Sequence, residues 1–264
     1  MITFDQVMQL FPAFLLVFCR ITAFMVAAPV LSTRMVPNMY KIGLALFISF
    51  IVFLNVGISD RVAVDGAFLL ALLKETIAGL LIGFVASLFF AVAQVAGAFM
   101  DMQMGFGIAN VVDPLTGVSV PLIGNLKYMV MVLVFLAING HHYLIEAIMN
   151  SYRWLPLDNH FFQTVYHGNL TEFLTRSFAD SFLLALQVSA PIVVAMFLTD
   201  LGLALLSRAA PQFQVFVVGI PIKLLLGLAA LVLLLPGFGS IFQMLFDRMF
   251  DALDKLFVVL KETP

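Results

Sequence analysis

Charged residues and cysteine are scarce in this chain of 264 residues. Asp, Glu, Lys and Arg together make up 11% of the sequence, and there is one cysteine, whereas charged residues make up about 25% of a typical soluble domain. Hydrophobic residues make up 63% of the chain. The remaining polar side chains are too few to cover the core of a water-soluble protein with this much apolar sequence. A single cysteine excludes a disulfide framework and a thiol-rich metal site. The composition therefore predicts an integral membrane protein.

A large charge excess and the usual catalytic motifs are also absent. The formal net charge is -2, which is too small to produce the long-range field that attracts nucleic acid. The sequence contains no GxSxG nucleophile motif, no HExxH zinc motif and no phosphate-binding glycine loop with lysine. We therefore expect no enzymatic activity, no metal, no cofactor and no nucleic-acid partner.

Six long apolar stretches are what the sequence does contain. A helix needs about 20 residues to cross a bilayer, and each stretch is long enough or nearly so. We therefore predict an all-α membrane subunit, a single domain over residues 1-264, with about six long apolar helices or helical hairpins, several of them bent or broken. The stretches are roughly Phe11–Leu31, Ile42–Ile58, Ala67–Met100, Leu126–Met149, Phe178–Leu206 and Val215–Phe242.

Two of these stretches are longer than one bilayer crossing requires. Ala67–Met100 contains no proline and would form about 51 Å of helix, at ~1.5 Å per residue, against ~30 Å of hydrocarbon. Phe178–Leu206 is also long, and Pro191 is expected to interrupt it. These segments either project beyond the bilayer or bend inside a larger assembly. Basic residues in the loops give no firm orientation, because the bias is weak, with four on one side and six on the other. The four are Arg34, Lys41, Lys127 and Arg208, and the six are Arg61, Arg153, Arg176, Arg248, Lys255 and Lys261.

Several charged residues lie within or at the edge of the apolar stretches. A charge at the centre of a membrane helix costs at least ~2.5–3.5 kcal/mol, so these side chains are expected to face protein or water and to pair. Lys74 and Glu75 point about 100° apart on a helix, so they need separate partners or water, which suggests contacts with other subunits. The candidates for inter-subunit or buried polar contacts are Arg20, Lys74, Glu75, Asp101, Glu146, Asp200, Arg208 and Lys223.

Small residues and helix breakers mark two further places. Gly79 and Gly83 form a small-xxx-small pattern, which lets helix backbones approach each other closely.

The segment Gly97–Gly124 is largely apolar, but its glycines and prolines prevent it from forming one helix. Irregular backbone at membrane depth is tolerated only where protein or a water-filled cavity satisfies it, and methionine fills irregular gaps. This segment is either a deformable seal in a pore or a re-entrant packing loop without a gating role.

Four blocks of this sequence are informative in combination. They are FCRITAFMVAAPVLSTRMVP (Phe18–Pro37), MDMQMGFGIANVVDPLTG (Met100–Gly117), FLAINGHHYLIEAIMNSYRWLP (Phe135–Pro156) and SAPIVVAMFLTDLGLALLSRAAPQFQVFVVGIPIK (Ser189–Lys223). Together these blocks resemble the FliR family, the R subunit of the flagellar type III protein-export gate. The resemblance runs along nearly the whole chain and is weakest at the two ends.

The resemblance implies a structural, pore-forming subunit in the bacterial cytoplasmic (inner) membrane, within the flagellar basal body. Such a subunit joins a P-like helical part to a Q-like part, and it assembles with the P and Q subunits and with the B subunit and export platform. Unfolded flagellar proteins pass through the gate, and lipid surrounds it. The family's central loop lies at the pore constriction, which carries a sealing role onto Met100, Met102, Met104, Gly105, Phe106, Gly107, Ile108, Asp113, Pro114 and Gly117.

Two alternatives stay open at this point. The injectisome counterpart of the family has the same architecture, although the NGHH run and the DPxxG block resemble the flagellar branch more. A small secondary transporter with broken helices would instead work as a single purified protein in liposomes, whereas a gate subunit should copurify with membrane partners. The transporter site would lie near Asp101, Asp113, Asp200 and Lys223.

Overall fold

The computed structural model describes residues 4–33, 36–56, 66–106, 121–155, 169–212 and 215–261. Every regular element within these ranges is helical, which confirms the predicted all-α fold. The α-helices are α1 Phe4–Ala27, α2 Asn38–Val56, α3 Gly66–Met104, α4 Leu122–Ala137, α5 Gly140–Trp154, α6 Asn169–Ala209, α7 Val215–Leu234 and α8 Phe238–Lys261, and a 3₁₀ turn at Leu235–Gly237 joins the last two.

Four helical stretches in the described part of the chain are long and apolar enough to cross a membrane. The pair of α4 and α5, which is bent at a short break, counts as a fifth candidate, and the apolar part of α2 is shorter than the others. The protein is therefore a helical membrane protein as predicted, with four or five candidate spans where the sequence suggested about six. The four stretches are Leu10–Ala27, Phe68–Met104, Asn169–Ala209 and Val217–Lys261.

Two helices are about twice as long as a bilayer is thick. Helix α3 has 39 residues and α6 has 41, which correspond to roughly 58 and 61 Å against ~30 Å of hydrocarbon. The expectation that Pro191 interrupts the helix is wrong, because α6 continues through it. A proline in a membrane helix removes one backbone donor, and neighbouring helices can satisfy the freed groups.

The chain divides into two compact units, each built from separate segments of the sequence. Helices α3, α6 and α8 each contribute residues to both units. Unit 1 comprises Met1–Leu88, Asn139–Ser177 and Arg248–Pro264, and unit 2 comprises Phe89–Ile138 and Phe178–Asp247.

In unit 1, the small residues of α3 pack directly against α1. A Cβ atom at Gly83 would lie 2.7 Å from the Cβ of Ala27, and one at Gly79 would collide with the carbonyl oxygen of Arg20. Only residues without a side chain allow this approach, so the predicted close contact at Gly79 and Gly83 is confirmed. This contact sets α3 and α1 close enough for their polar side chains to meet.

In unit 2, three buried aromatic rings join α3, α4 and α8. The ring centroids of Phe90 and Phe135 lie 5.2 Å apart, and those of Phe135 and Phe246 lie 5.1 Å apart. All three rings are almost fully buried, and such aromatic pairs stabilise packing beyond the area that they bury. The rings therefore fix the helices that carry the residues described next.

Candidate functional site

Helix α3 ends where the sequence predicts a break. Its last residue is Met104, and Gly105 follows with a φ angle of +90°. Glycine adopts this left-handed conformation without steric penalty, so the chain can leave the helix at this position. Among the other predicted seal residues, those at 107–120 lie outside the described part of the chain, namely Gly107, Ile108, Asp113, Pro114 and Gly117.

The three methionines at the end of α3 do not point the same way. Met100 and Met104 are fully buried, whereas Met102 is 67% exposed. Residues four apart share one face of a helix, and the residue midway between them lies on the opposite side. Two methionines therefore pack into unit 2 and one faces outward. The buried pair contacts an apolar cluster, with Phe106 partly buried against it, whose other buried members are Ile123, Ile192, Met196 and Leu231.

A glycine on α7 makes room for one of these methionines. A Cβ atom at Gly227 would lie 2.5 Å from the Cε and 2.6 Å from the Cγ of Met104. Gly227 is not among the residues predicted from the sequence, where it is one glycine in an otherwise apolar helix. It belongs to the site because the side chain of Met104 occupies the space that a larger residue would need.

Asp101 caps helix α4 from helix α3. Its carboxylate accepts hydrogen bonds from the backbone amide of Ile123, at 3.0 and 3.2 Å, and from that of Gly124 at 3.3 Å. The first amides of a helix have no partner within the helix, and a negative charge there interacts favourably with the helix dipole. Asp101 is thus one of the predicted buried polar contacts, and the contact that the structure gives it lies within the chain.

The backbones of α3 and α4 touch beside this carboxylate. A Cβ atom at Gly97 would collide with the Cα of Gly124, and one at Gly124 would lie 2.9 Å from the carbonyl oxygen of Gln94. We call the contact of Gly97 and Asp101 with Ile123 and Gly124 the stem. Helix α3 enters it shortly before Gly105 and helix α4 leaves it just after Pro121, so the stem bounds the segment 105–121 on both sides.

Lys127 lies one turn beyond the stem on α4 and is 2% exposed. Its Nζ atom is 3.5 Å from the sulfur of Met100 and 4.6 Å from the centre of the Phe238 ring. Our assignment of Lys127 to a loop is therefore wrong, because its ammonium group is buried against a thioether and an aromatic face, which are weak partners for a cation.

In unit 1, Arg20 forms a buried polar network that joins α1, α3 and α5. Its guanidinium group donates two hydrogen bonds to the carboxylate of Glu75, one to the Oγ of Ser151 at 3.0 Å and one to the carbonyl oxygen of Leu155 at 2.9 Å. The Tyr152 ring covers the guanidinium, with 4.0 Å from its Cζ atom to the ring centroid. A buried charge requires this kind of pairing, and the structure places Arg20 and Glu75 in one buried contact within unit 1.

Lys74 and Glu75 contact each other, although they point in different directions on α3. Both side chains are fully buried, and the Nζ of Lys74 lies 3.5 Å from the Oε1 of Glu75. The four-carbon stem of lysine is long and flexible, so the ammonium can return to the neighbouring carboxylate. The two residues and Arg20 therefore meet around one carboxylate.

Of the remaining predicted polar residues, the structure brings Asp200 and Lys223 together. Lys223 on α7 donates to both carboxylate oxygens of Asp200 on α6, at 2.8 and 2.9 Å, and this pair is partly exposed. Arg208 is exposed in the last turn of α6, where a cation faces the negative end of the helix dipole. Glu146 is exposed on α5. For the transporter alternative, Asp101 and the Asp200–Lys223 pair thus each have partners in unit 2.

Comparison with known proteins gives matches over nearly the whole chain. Residues 11–249 match the family model described as Bacterial export proteins, family 1. The chain is 37% identical to Flagellar biosynthetic protein FliR of Bacillus subtilis (strain 168) over 252 residues, which cover 96% of this chain and 97% of the relative. It is 32% identical to the FliR protein of Escherichia coli (strain K12), covering 89% and 88% of the two chains.

A protein with a different name is also similar to this chain. Yop proteins translocation protein T of Yersinia pestis is 33% identical over 206 residues, which cover 77% of this chain and 78% of the relative. The family match includes the stem, the Arg20 network and the Asp200–Lys223 pair, so it does not depend on one motif. The chain therefore belongs to the FliR family of bacterial export proteins.

Proposed function

We propose that this protein is a structural, pore-forming subunit of the flagellar type III export gate, in the cytoplasmic membrane of the bacterial flagellar basal body. Membership of the FliR family and four or five candidate membrane spans support this. The flagellar role is favoured over the injectisome role, because the match to the Bacillus FliR protein covers 96% of the chain and that to the Yersinia protein 77%. The role is conductive and not catalytic.

The subunit is proposed to work only in an assembly with the P and Q subunits, next to the B subunit and the export platform. Large apolar side chains such as Phe197, Leu201 and Leu205 on α6 are more than half exposed, and surfaces of this kind need lipid or protein to cover them. In this proposal the single domain combines a P-like and a Q-like helical part, and unfolded flagellar proteins pass through the path that it helps to form.

The stem is the observation that carries the proposed sealing role. Asp101 holds the first amides of α4, and Gly97 and Gly124 bring the two backbones into contact. The stem therefore fixes the described residues on either side of the segment 105–121. Met100 and Met104 then form the packed base of the seal. Met102 and Phe106, together with the segment that follows them, line the constriction.

The proposed seal predicts an ion leak when the loop is shortened. We expect a deletion within the segment 105–121 to raise the ion conductance of the assembled gate in planar bilayers, because the constriction can no longer close. Copurification with the P and Q subunits establishes first that the shortened chain still assembles. An assembled complex with unchanged conductance would contradict the seal.

A matched pair of methionine substitutions tests the same role without a deletion. Met102→Gln places a polar group at the proposed constriction and should raise the ion leak, because a wetted ring no longer excludes ions. Met39→Gln changes an equally apolar and more exposed methionine of α2 and should leave the leak unchanged. Equal leaks from the two variants would contradict the placement of Met102 at the constriction.

The choice between a gate subunit and a transporter needs a separate experiment. The gate predicts that the tagged chain copurifies with flagellar membrane proteins and that a strain lacking it is non-motile. Solute transport by the purified chain alone in liposomes would instead support the secondary transporter.

A further inference from the structure

A groove of about 570 Å³ runs between α5 and α8 within unit 1. At one end the rings of Tyr143 and Phe250 lie edge to face, with centroids 5.7 Å apart. At the other end the Nζ of Lys261 lies 4.7 Å from the centre of the Trp154 ring. The two contacts are eleven residues apart on each helix, so α5 and α8 run side by side in the same direction for about 16 Å.

The charges along this groove are separated by sign. Glu146 precedes Arg153 by seven residues on α5, and Asp254 precedes Lys261 by seven residues on α8, and all four line the groove. Seven residues are two helical turns, or about 10 Å, so one end of the groove is acidic and the other basic. In the described part of the chain, none of the four side chains is paired with another charge.

The base of the groove is apolar. Leu253 and Phe257 of α8 form this floor and are almost fully buried, whereas the rings of Tyr143 and Trp154 on α5 are exposed at its rim. A volume of this size lies within the range of sites that hold a ligand or a side-chain cluster, about 300–1,000 Å³. Aromatic residues with arginine at the edge are typical of surfaces that bind protein.

We propose that this groove docks an amphipathic helix of a neighbouring protein chain, which runs antiparallel to α5 and α8 and carries an acidic residue about seven positions before a basic one. The acidic residue meets Arg153 and Lys261, and the basic residue meets Glu146 and Asp254. In this direction the N-terminal end of the docked helix lies at the C-terminal ends of both groove helices, where the helix dipoles attract each other. Its apolar face, with residues at i, i+3, i+4 and i+7, faces the floor and contacts the exposed rings of Tyr143 and Trp154.

The separation of charges favours a helix over a lipid molecule. A phospholipid whose phosphate binds Arg153 and Lys261 would have to lay its acyl chain past the carboxylates of Glu146 and Asp254, and unpaired charges next to hydrocarbon are unfavourable. A helix of three turns or more matches both charged ends at once. The proposal goes beyond the sealing role, because the groove can dock a helix whether or not the segment 105–121 closes the path.

The first test is photocrosslinking from the middle of the groove. A photoreactive amino acid replaces Asn150, which lines the groove, in the full chain within native membranes, and Thr171, an exposed residue of α6 in the same unit, is the control position. We expect mass spectrometry to identify, from Asn150 alone, a peptide of another protein with an acidic residue about seven positions before a basic one. Adducts with phospholipid, with a second copy of this chain or with a peptide lacking that charge pair would overturn the proposal.

The second test inverts the groove without changing its net charge. The quadruple variant Glu146→Lys, Arg153→Glu, Asp254→Lys and Lys261→Glu should lower the yield of the adduct at least about tenfold, because like charges then face each other at both ends of the groove. The control Glu172→Lys with Arg176→Glu inverts an exposed ion pair of α6 in the same unit and should leave the yield unchanged. Reversing the two charges of the captured helix should restore it. An unchanged yield in the inverted groove would refute the assigned polarity.

Discussion

The stem makes a specific prediction for a single methyl group, the substitution Gly97→Ala. Gly97 lies on α3 where the start of α4 crosses it, and the added Cβ would lie 2.5 Å from the backbone nitrogen of Gly124 and 3.0 Å from the carbonyl carbon of Ile123. Non-bonded heavy atoms prefer about 3.5–4.0 Å, so the start of α4 must retreat by about 1 Å. Both neighbours are backbone atoms, which cannot rotate away as the end of a side chain could.

The same movement removes the cap of α4. The amides of Ile123 and Gly124 donate to Asp101 at 3.0 and 3.3 Å, and a retreat of about 1 Å takes both beyond hydrogen-bonding distance. Overpacking costs about 1–3 kcal/mol and loss of a helix cap about 0.5–2 kcal/mol. We therefore expect the free energy of unfolding of unit 2 to fall by roughly 2–5 kcal/mol.

Thermal unfolding of the purified gate complex in detergent measures this loss. Because membrane complexes often unfold irreversibly, the unfolding temperatures are compared at one heating rate. Gly202→Ala on α6 is the matched control, since its Cβ would meet no atom within 4 Å and alanine favours a helix over glycine by about 1 kcal/mol. Gly97→Ala should unfold at a clearly lower temperature and should leak ions, whereas Gly202→Ala should match or exceed the unmodified protein. Equal unfolding temperatures for the two variants would refute the close contact.

Three further predictions concern the polar contacts, each measured by thermal unfolding in detergent. Asp101→Ala should lower the free energy of unfolding of unit 2 by about 1–2 kcal/mol, because two backbone amides lose their acceptor. Asp101→Asn should lower it less, because the amide oxygen of asparagine still accepts a hydrogen bond. Equal losses for the two variants would contradict the cap. Glu75→Gln should lower the free energy of unfolding by about 3–5 kcal/mol, because it leaves the guanidinium of Arg20 buried without its counter-charge. Exposed ion pairs contribute less than about 1 kcal/mol, so a loss that small would contradict the burial of the Arg20–Glu75 pair. Asp200→Asn should destabilise the contact between α6 and α7, because it leaves the ammonium group of Lys223 unpaired among apolar helices. Adding Lys223→Met removes that ammonium group and should recover most of the lost stability. Additive losses for the two substitutions would argue against pairing of Asp200 with Lys223.

The end of α3 shows which parts of the site could be predicted. A glycine after a methionine-rich helical run predicts the break at Gly105, because the left-handed conformation there is a property of glycine itself. The opposite directions of Met100 and Met102 follow from helix periodicity in the same way. The partner of Asp101 could not be predicted, because the amides that it caps lie more than twenty residues further along the chain.

The buried cations show the limit of sequence reasoning more sharply. Lys127 resembles a loop charge in the sequence, and only the packing of α4 places it against Met100 and Phe238. Lys74 points away from Glu75 in an ideal helix, and a flexible side chain brings the two groups together. In both cases the position of the charged group depends on side-chain conformation, which periodicity does not describe.

The sequence by itself determined the class of this protein, its helical content, the turn at Gly105 and the helix contact at Gly79 and Gly83. These follow from the length of apolar runs and from local backbone preferences, which act within a few residues. Only the tertiary structure decided that α6 continues through Pro191, that Arg20 meets Glu75 and Ser151, and that Asp101 caps α4. Each of these depends on which helices become neighbours, and that choice is made by packing between segments far apart in the chain.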